Sequence, residues 1–140
     1  MSKVFSSSAL KALTRIGDII VPKNGEFPSF SESGCLEHVD DVASYAPAND
    51  LKDLNLFLSI LSFMPGFLLK WLVKSMNNSH GKDGGLSDLF RMLDLGLKGI
   101  IFGTYYSGKI GKNFKGKAPM DVIDFKVTRI EVEQLSAVVQ

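Results

Sequence analysis

The chain has 140 residues, 45% of them hydrophobic and 22% charged, which suits one folded domain and excludes a disordered tail. Its 16 basic and 15 acidic residues nearly cancel, so there is no excess of Lys and Arg to drive binding to nucleic acid. The single cysteine, Cys35, excludes an intrachain disulfide and any multi-cysteine metal site.

The opening Met1-Ser-Lys-Val-Phe5 carries neither a signal-type apolar run nor a twin-arginine pair, and predicts a cytoplasmic location unless a partner carries the chain elsewhere. A first helix is predicted over Ser8 to Ile20, with Leu10, Leu13, Ile16 and Ile20 at helical spacing. Ser6 to Ser8 offer N-caps and Pro22 ends the helix. After a loop containing Asn24-Gly25 and Pro28, Ser31 or Ser33 is expected to open a second helix. It places Leu36, Val39, Val42, Ala43 and Ala46 inward and Glu37, Asp40 and Asp41 outward. Cys35 reads as a small buried hydrophobe, with His38 three residues on as the one base that could serve it.

A third helix is expected from about Asn49 to Met64, capped by Asn49 or Asp50, and a fourth from Phe67 to Met76 after Pro65-Gly66. Leu54, Leu58, Leu61 and Trp71 are the expected core of this pair. The two segments together have the length of a membrane span. Asn55, Ser59, Ser62 and Lys70 argue instead for a helical hairpin in a core, interrupted by Pro65-Gly66. Residues 77–85 read as an exposed loop, and Gly81-Lys-Asp-Gly-Gly85 lacks the spacing and preceding strand of a phosphate-binding loop. Ser87 then caps a fifth helix to about Phe102, with Leu89, Phe90, Leu93, Leu97, Ile100 and Ile101 inward. Gly96, Gly99 and Gly103 weaken that helix and point to another backbone packed closely against it.

Lys109, Lys112, Lys115 and Lys117 make a basic loop around Phe114. Beyond it Ile123, Phe125 and Val127, then Ile130 and Val132, alternate with charged residues, which is a strand period without a second strand to pair with. The expectation is a mainly α domain of about five helices over residues 1–118, with an extended or short β-like arm over 119–140. No catalytic or metal-binding constellation can be assembled, and no cofactor is expected in this chain. Two adjacent tyrosines cannot both face one core, so Tyr105 and Tyr106, with Phe125 and Val127 from the arm, are the expected partner-binding residues.

Three stretches carry a family resemblance: Leu13-Thr-Arg-Ile-Gly-Asp-Ile-Ile-Val-Pro22, then Phe27-Pro28-Ser29, then Glu32-Ser-Gly-Cys-Leu-Glu-His-Val-Asp40. With Gly103-Thr-Tyr-Tyr-Ser107, they resemble the gluconate 2-dehydrogenase subunit 3 family over roughly residues 9–42 and 86–108. The resemblance implies a small helical subunit that does no chemistry itself and binds a large flavoprotein holding FAD, which oxidises an alcohol or sugar. The chain departs from the family in lacking the twin-arginine signal. The alternative reading is a self-associating helical domain that binds an apolar ligand or a membrane surface through Leu54–Val73.

Overall fold

The computed structural model describes residues 2–79 and 84–126. Among them the chain is helical, with no strand: α1 (Ser7–Ile20), α2 (Phe30–Ser33), a 3-10 turn (Cys35–His38), α3 (Val39–Ala43), α4 (Ala48–Leu61), α5 (Gly66–Asn78), α6 (Gly85–Tyr105) and α7 (Pro119–Val122). The core gathers around α1, which packs against α2, α4, α5 and α6.

Helix α1 begins and ends as its residues dictate. The Ser6 hydroxyl accepts the Ala9 amide at 3.2 Å, satisfying one of the first-turn donors. The Val21 amide donates to the Gly17 carbonyl at 2.7 Å before Pro22 leaves the helix. Ala9, Ala12, Leu13, Ile16 and Gly17 face inward. Gly17 is needed there: a Cβ would overlap the Phe30 ring, which lies directly on the α1 backbone. The N-terminus of α1 is tied to α4 by the Ser6 amide, which donates to Asn55 Oδ1 at 2.8 Å.

The expected second helix is three short pieces. It starts earlier than Ser31, at a capping box in which Ser29 and Glu32 each satisfy the other's backbone amide. Gly34 then adopts a left-handed conformation (φ 64°), which stops α2 after one turn, and the chain restarts as the 3-10 turn and α3. Val39, Ala43 and Cys35 are buried as expected, whereas Leu36 is only partly so.

Helices α4 and α5 replace the single apolar stretch. Pro47 and Pro65 stand at their N-caps, not Asn49 or Asp50, and neither cap uses a side chain. Leu58 and Leu61 are buried and Leu54 packs on the core from its edge. Trp71 is 62% exposed and so is not a core residue. The reason is helical phase: Leu69, Leu72, Val73 and Met76 take the buried side of α5, and Trp71 falls opposite them. No helix among the described residues is long and apolar enough to cross a membrane.

Helix α6 runs 21 residues, with Leu97, Ile100, Ile101, Thr104 and Tyr105 buried. Asp94 is also buried, and its Oδ2 lies 2.9 Å from the Lys98 ammonium one turn on. Lys98 donates as well to Asn77 Oδ1, joining α6 to the end of α5.

The tail reading is corrected over residues 119–126. Pro119 occupies the first turn of α7, where its missing N–H costs nothing, and Asp124 turns the chain back (φ 52°). The Phe125 amide then donates to the Met120 carbonyl at 3.0 Å, so the apolar–polar alternation there does not form a strand. Val127 and the rest of the expected arm lie outside the described residues.

Candidate interaction surface

The end of α6 separates the two tyrosines. Tyr105 follows Leu97 and Ile101 at four-residue spacing and is completely buried with them. Its hydroxyl donates to the Pro28 carbonyl at 2.6 Å, anchoring the loop between α1 and α2 to α6. Burial pushes the phenol up to about 12, with smaller contributions from Tyr106, Cys35 and Glu32. Tyr105 is therefore a core residue, not a contact residue, because the side of the helix it occupies is already covered by this chain.

Tyr106 is one step further round the helix and stays at the surface, 39% exposed. Its ring meets Tyr105 edge-on at 5.0 Å and lies alongside Phe102 at 6.4 Å. A shallow hollow of about 300 Å³ opens beside these rings, lined also by Pro22 and Phe27. Phe125 is exposed too, but it does not line this hollow.

A larger apolar surface runs along α6, and of its residues only Leu89 belongs to the set expected inside; Leu97, Ile100 and Ile101 are buried as expected, and Phe90 and Leu93 pack on the core from its edge. Leu86, Leu89, Met92 and Leu95 are exposed along α6, and Phe102 and Tyr106 extend the stripe toward its C-terminus. Phase explains Met92, Leu95, Phe102 and Tyr106, which fall on the side away from Leu97 and Ile101. Leu86, eleven residues before Leu97, shares that residue's side and is exposed because the described residues leave the first turn of α6 uncovered. Gly96 and Gly99 carry nothing within 4 Å of the place a Cβ would take, so no backbone among the described residues packs on them. Gly103 does meet a neighbour, the Val42 side chain at 3.0 Å, and not a backbone. Between α4 and α6 an apolar groove of about 470 Å³ is floored by Leu54, Phe57, Leu93 and Gly96.

The titratable residues are tied into structure. The Cys35 thiol is buried and faces the Phe30 carbonyl oxygen at 3.8 Å, and burial raises it. His38 Nε2 lies 3.1 Å from the Ile110 carbonyl oxygen, and its Nδ1 is 3.9 Å from Asp41, so it is turned to the basic loop. Burial would raise the Asp40 carboxyl, but hydrogen bonds from the Ser2 hydroxyl and the Lys3 and Val4 amides outweigh it and hold it low. Asp41 is held low by Lys109, whose ammonium reaches it at 2.5 Å. The expected solvated acidic face is thus a clasp: Asp41 takes Lys109, and Glu37 accepts the Lys112 amide at 3.4 Å. Among the described residues no three His, Cys, Asp or Glu side chains converge as a metal site. His80 and residues 81–83 lie outside them.

Sequence reasoning missed the α6 stripe because every apolar residue there fits a helix, and only phase decides which face is buried. The inward set Leu97, Ile101 and Tyr105 was the available signal. Comparison with protein families, curated proteins and solved structures finds no match to this chain.

Proposed function

We propose that this chain is a non-catalytic accessory subunit that binds and stabilises a large FAD-dependent alcohol or sugar dehydrogenase subunit. The observation that carries the reading is the exposed stripe Leu86, Leu89, Met92, Leu95, Phe102 and Tyr106 on α6. Contiguous apolar surface of this kind marks a protein interaction site. The open positions over Gly96 and Gly99 leave room for a partner's backbone to come close. The nature of the partner rests on the resemblance of residues 9–42 and 86–108 to the gluconate 2-dehydrogenase subunit 3 family. In this reading FAD and all redox chemistry belong to the large subunit, and the small one covers an apolar patch on it.

The test is to ask whether a large flavoprotein is encoded next to this chain and to co-express the two, followed by size-exclusion chromatography read at flavin wavelengths; absence of such a gene also sinks the reading. The expected result is one peak containing both chains and flavin, split by Leu95→Asp. Separate elution of the two wild-type chains sinks the reading.

A further inference from the structure

A second apolar surface lies away from α6. Leu56 and Ile60 on α4, Phe63 in the joint, and Phe67 and Trp71 on α5 are each more than 60% exposed. Leu56 and Ile60, four apart, share one face of α4, and Phe67 and Trp71, four apart, share one face of α5, with Phe63 in the joint between the helices. Phe63, at 87%, and Phe67, at 70%, bracket the turn that joins the two helices. The inner sides of both helices are already satisfied by packing on α1, and among the described residues nothing covers these rings.

Around the joint itself the charge has one sign; the acidic Asp50 and Asp53, with Lys52 between them, lie at the other end of α4. From Leu54 to Ser79 the only charged side chains are Lys70 and Lys74, both exposed on α5. Beneath the joint, Arg15 of α1 donates to the Ser62 carbonyl at 3.2 Å and places its guanidinium beside Gly66. Lys11, one turn earlier on α1, is exposed. Phenylalanine and tryptophan at the tip with lysines on the flank form the composition of a surface that seats in the headgroup layer of a bilayer. A protein partner would have to supply acidic groups around an aromatic socket, whereas an anionic lipid surface supplies both the charge and the apolar depth at once.

We infer that the α4–α5 joint is a peripheral membrane-docking tip, with Phe63, Phe67 and Trp71 seated among the headgroups of anionic phospholipids and Lys70 and Lys74 facing their phosphates. It uses a different face from the α6 stripe, so a subunit could hold its partner and the bilayer together. The inference does not depend on the identity of that partner.

Trp71 is the only tryptophan, so its emission reports on this face alone. The full chain is mixed with vesicles of phosphatidylcholine and phosphatidylglycerol, or of phosphatidylcholine alone, and followed by fluorescence and co-sedimentation. The expected result is a blue shift and co-sedimentation with the anionic vesicles, suppressed by salt. Phe63→Ser with Phe67→Ser lowers the partition coefficient about tenfold or more. Lys70→Glu with Lys74→Glu lowers it by at least about fivefold for each lysine. Circular dichroism of both variants confirms that they fold. No binding to either vesicle overturns the proposal, as does equal binding to both that the lysine variant leaves unchanged. A blue shift that grows with protein concentration in the absence of lipid also overturns it, since a second copy then covers the face.

Discussion

Gly34 and Gly111, 77 positions apart, meet backbone to backbone: a Cβ on either would lie 2.7 Å from the other's Cα. The Gly111 amide donates to the Ser33 carbonyl at 2.8 Å, and the neighbouring Ile110 carbonyl faces His38. This contact lays the glycine- and lysine-rich loop after α6 onto the bend between α2 and the 3-10 turn. A loop that composition marks as flexible is thereby held in place.

Gly34→Ala should cost more than its left-handed φ alone accounts for, because the methyl group meets backbone that cannot rotate away. The expected loss is about 2–4 kcal/mol, against about 1 kcal/mol for Gly108→Ala, where φ is also positive (76°) but the space is open. Gly111→Ala should resemble Gly34→Ala. Denaturant melts of the three variants check this, and equal losses at Gly34 and Gly108 would show that the backbone contact contributes nothing.

The second prediction sets Trp71 against Leu69. Leu69 is fully buried on the inner side of α5, so Leu69→Ala is expected to destabilise the chain by about 2–5 kcal/mol. Trp71→Ala should change stability by less than about 1 kcal/mol, since most of that ring is already in water. Thermal melts of the two decide it; a large loss for Trp71→Ala would return the ring to the core.

The contrast at Trp71 shows what the sequence could carry. Helix α1 was legible because its apolar residues fall on one face and Ser6 and Pro22 mark its ends. Segment 54–73 was not, because it is apolar nearly all round, and only packing against α1 selects the buried side. The break at Gly34 was hidden because a glycine is tolerated inside a helix, although Ser29-Phe-Ser-Glu32 spelled out the capping box just before it. Of the expected binding residues, Tyr106 and Phe125 are at the surface and Tyr105 is inside. The four-residue spacing from Leu97 through Ile101 to Tyr105 contained that answer. The alternation at Ile123 and Phe125 misled because Pro119 starts a helical turn whose return bond from Phe125 overrides a two-residue period.

A third prediction separates the tyrosines. Tyr106→Ala should leave the melting transition within about 1 kcal/mol of wild type while weakening association with the partner by about 1–3 kcal/mol. Tyr105→Phe, which removes only the hydroxyl, should destabilise the fold by about 1–2 kcal/mol by leaving the Pro28 carbonyl without its donor. Melts beside a binding titration give both readings on each variant. A stability loss confined to Tyr106→Ala would reverse the assignment.

The last prediction concerns pH and follows from two groups displaced in opposite senses. Tyr105 is raised from 10.0 to about 12, chiefly by burial, so the folded state favours the neutral phenol that donates to Pro28. Its contribution is complete below pH 10 and is lost as the pH climbs toward 12, where the unfolded chain has already ionised. The loss is on the order of 3 kcal/mol, since each of the two tenfold changes in proton affinity is worth about 1.4 kcal/mol. Asp40 is held below its ordinary value, so its contribution is complete above that value and is lost as the pH falls through the folded one. Stability should therefore be flat across the neutral range and fall at both ends for different reasons. Tyr105→Phe should reduce the alkaline limb and leave the acid limb unchanged. Asp40→Asn should reduce the acid limb, which Asp41 and Glu32 share because both are also held low, and leave the alkaline one unchanged. The buried Cys35 thiol, also raised, declines with the alkaline limb in both variants, so the difference between wild type and Tyr105→Phe isolates the phenol. The measurement is urea denaturation at a series of pH values on all three proteins; parallel alkaline limbs for wild type and Tyr105→Phe would show that burial does not hold the proton on this phenol.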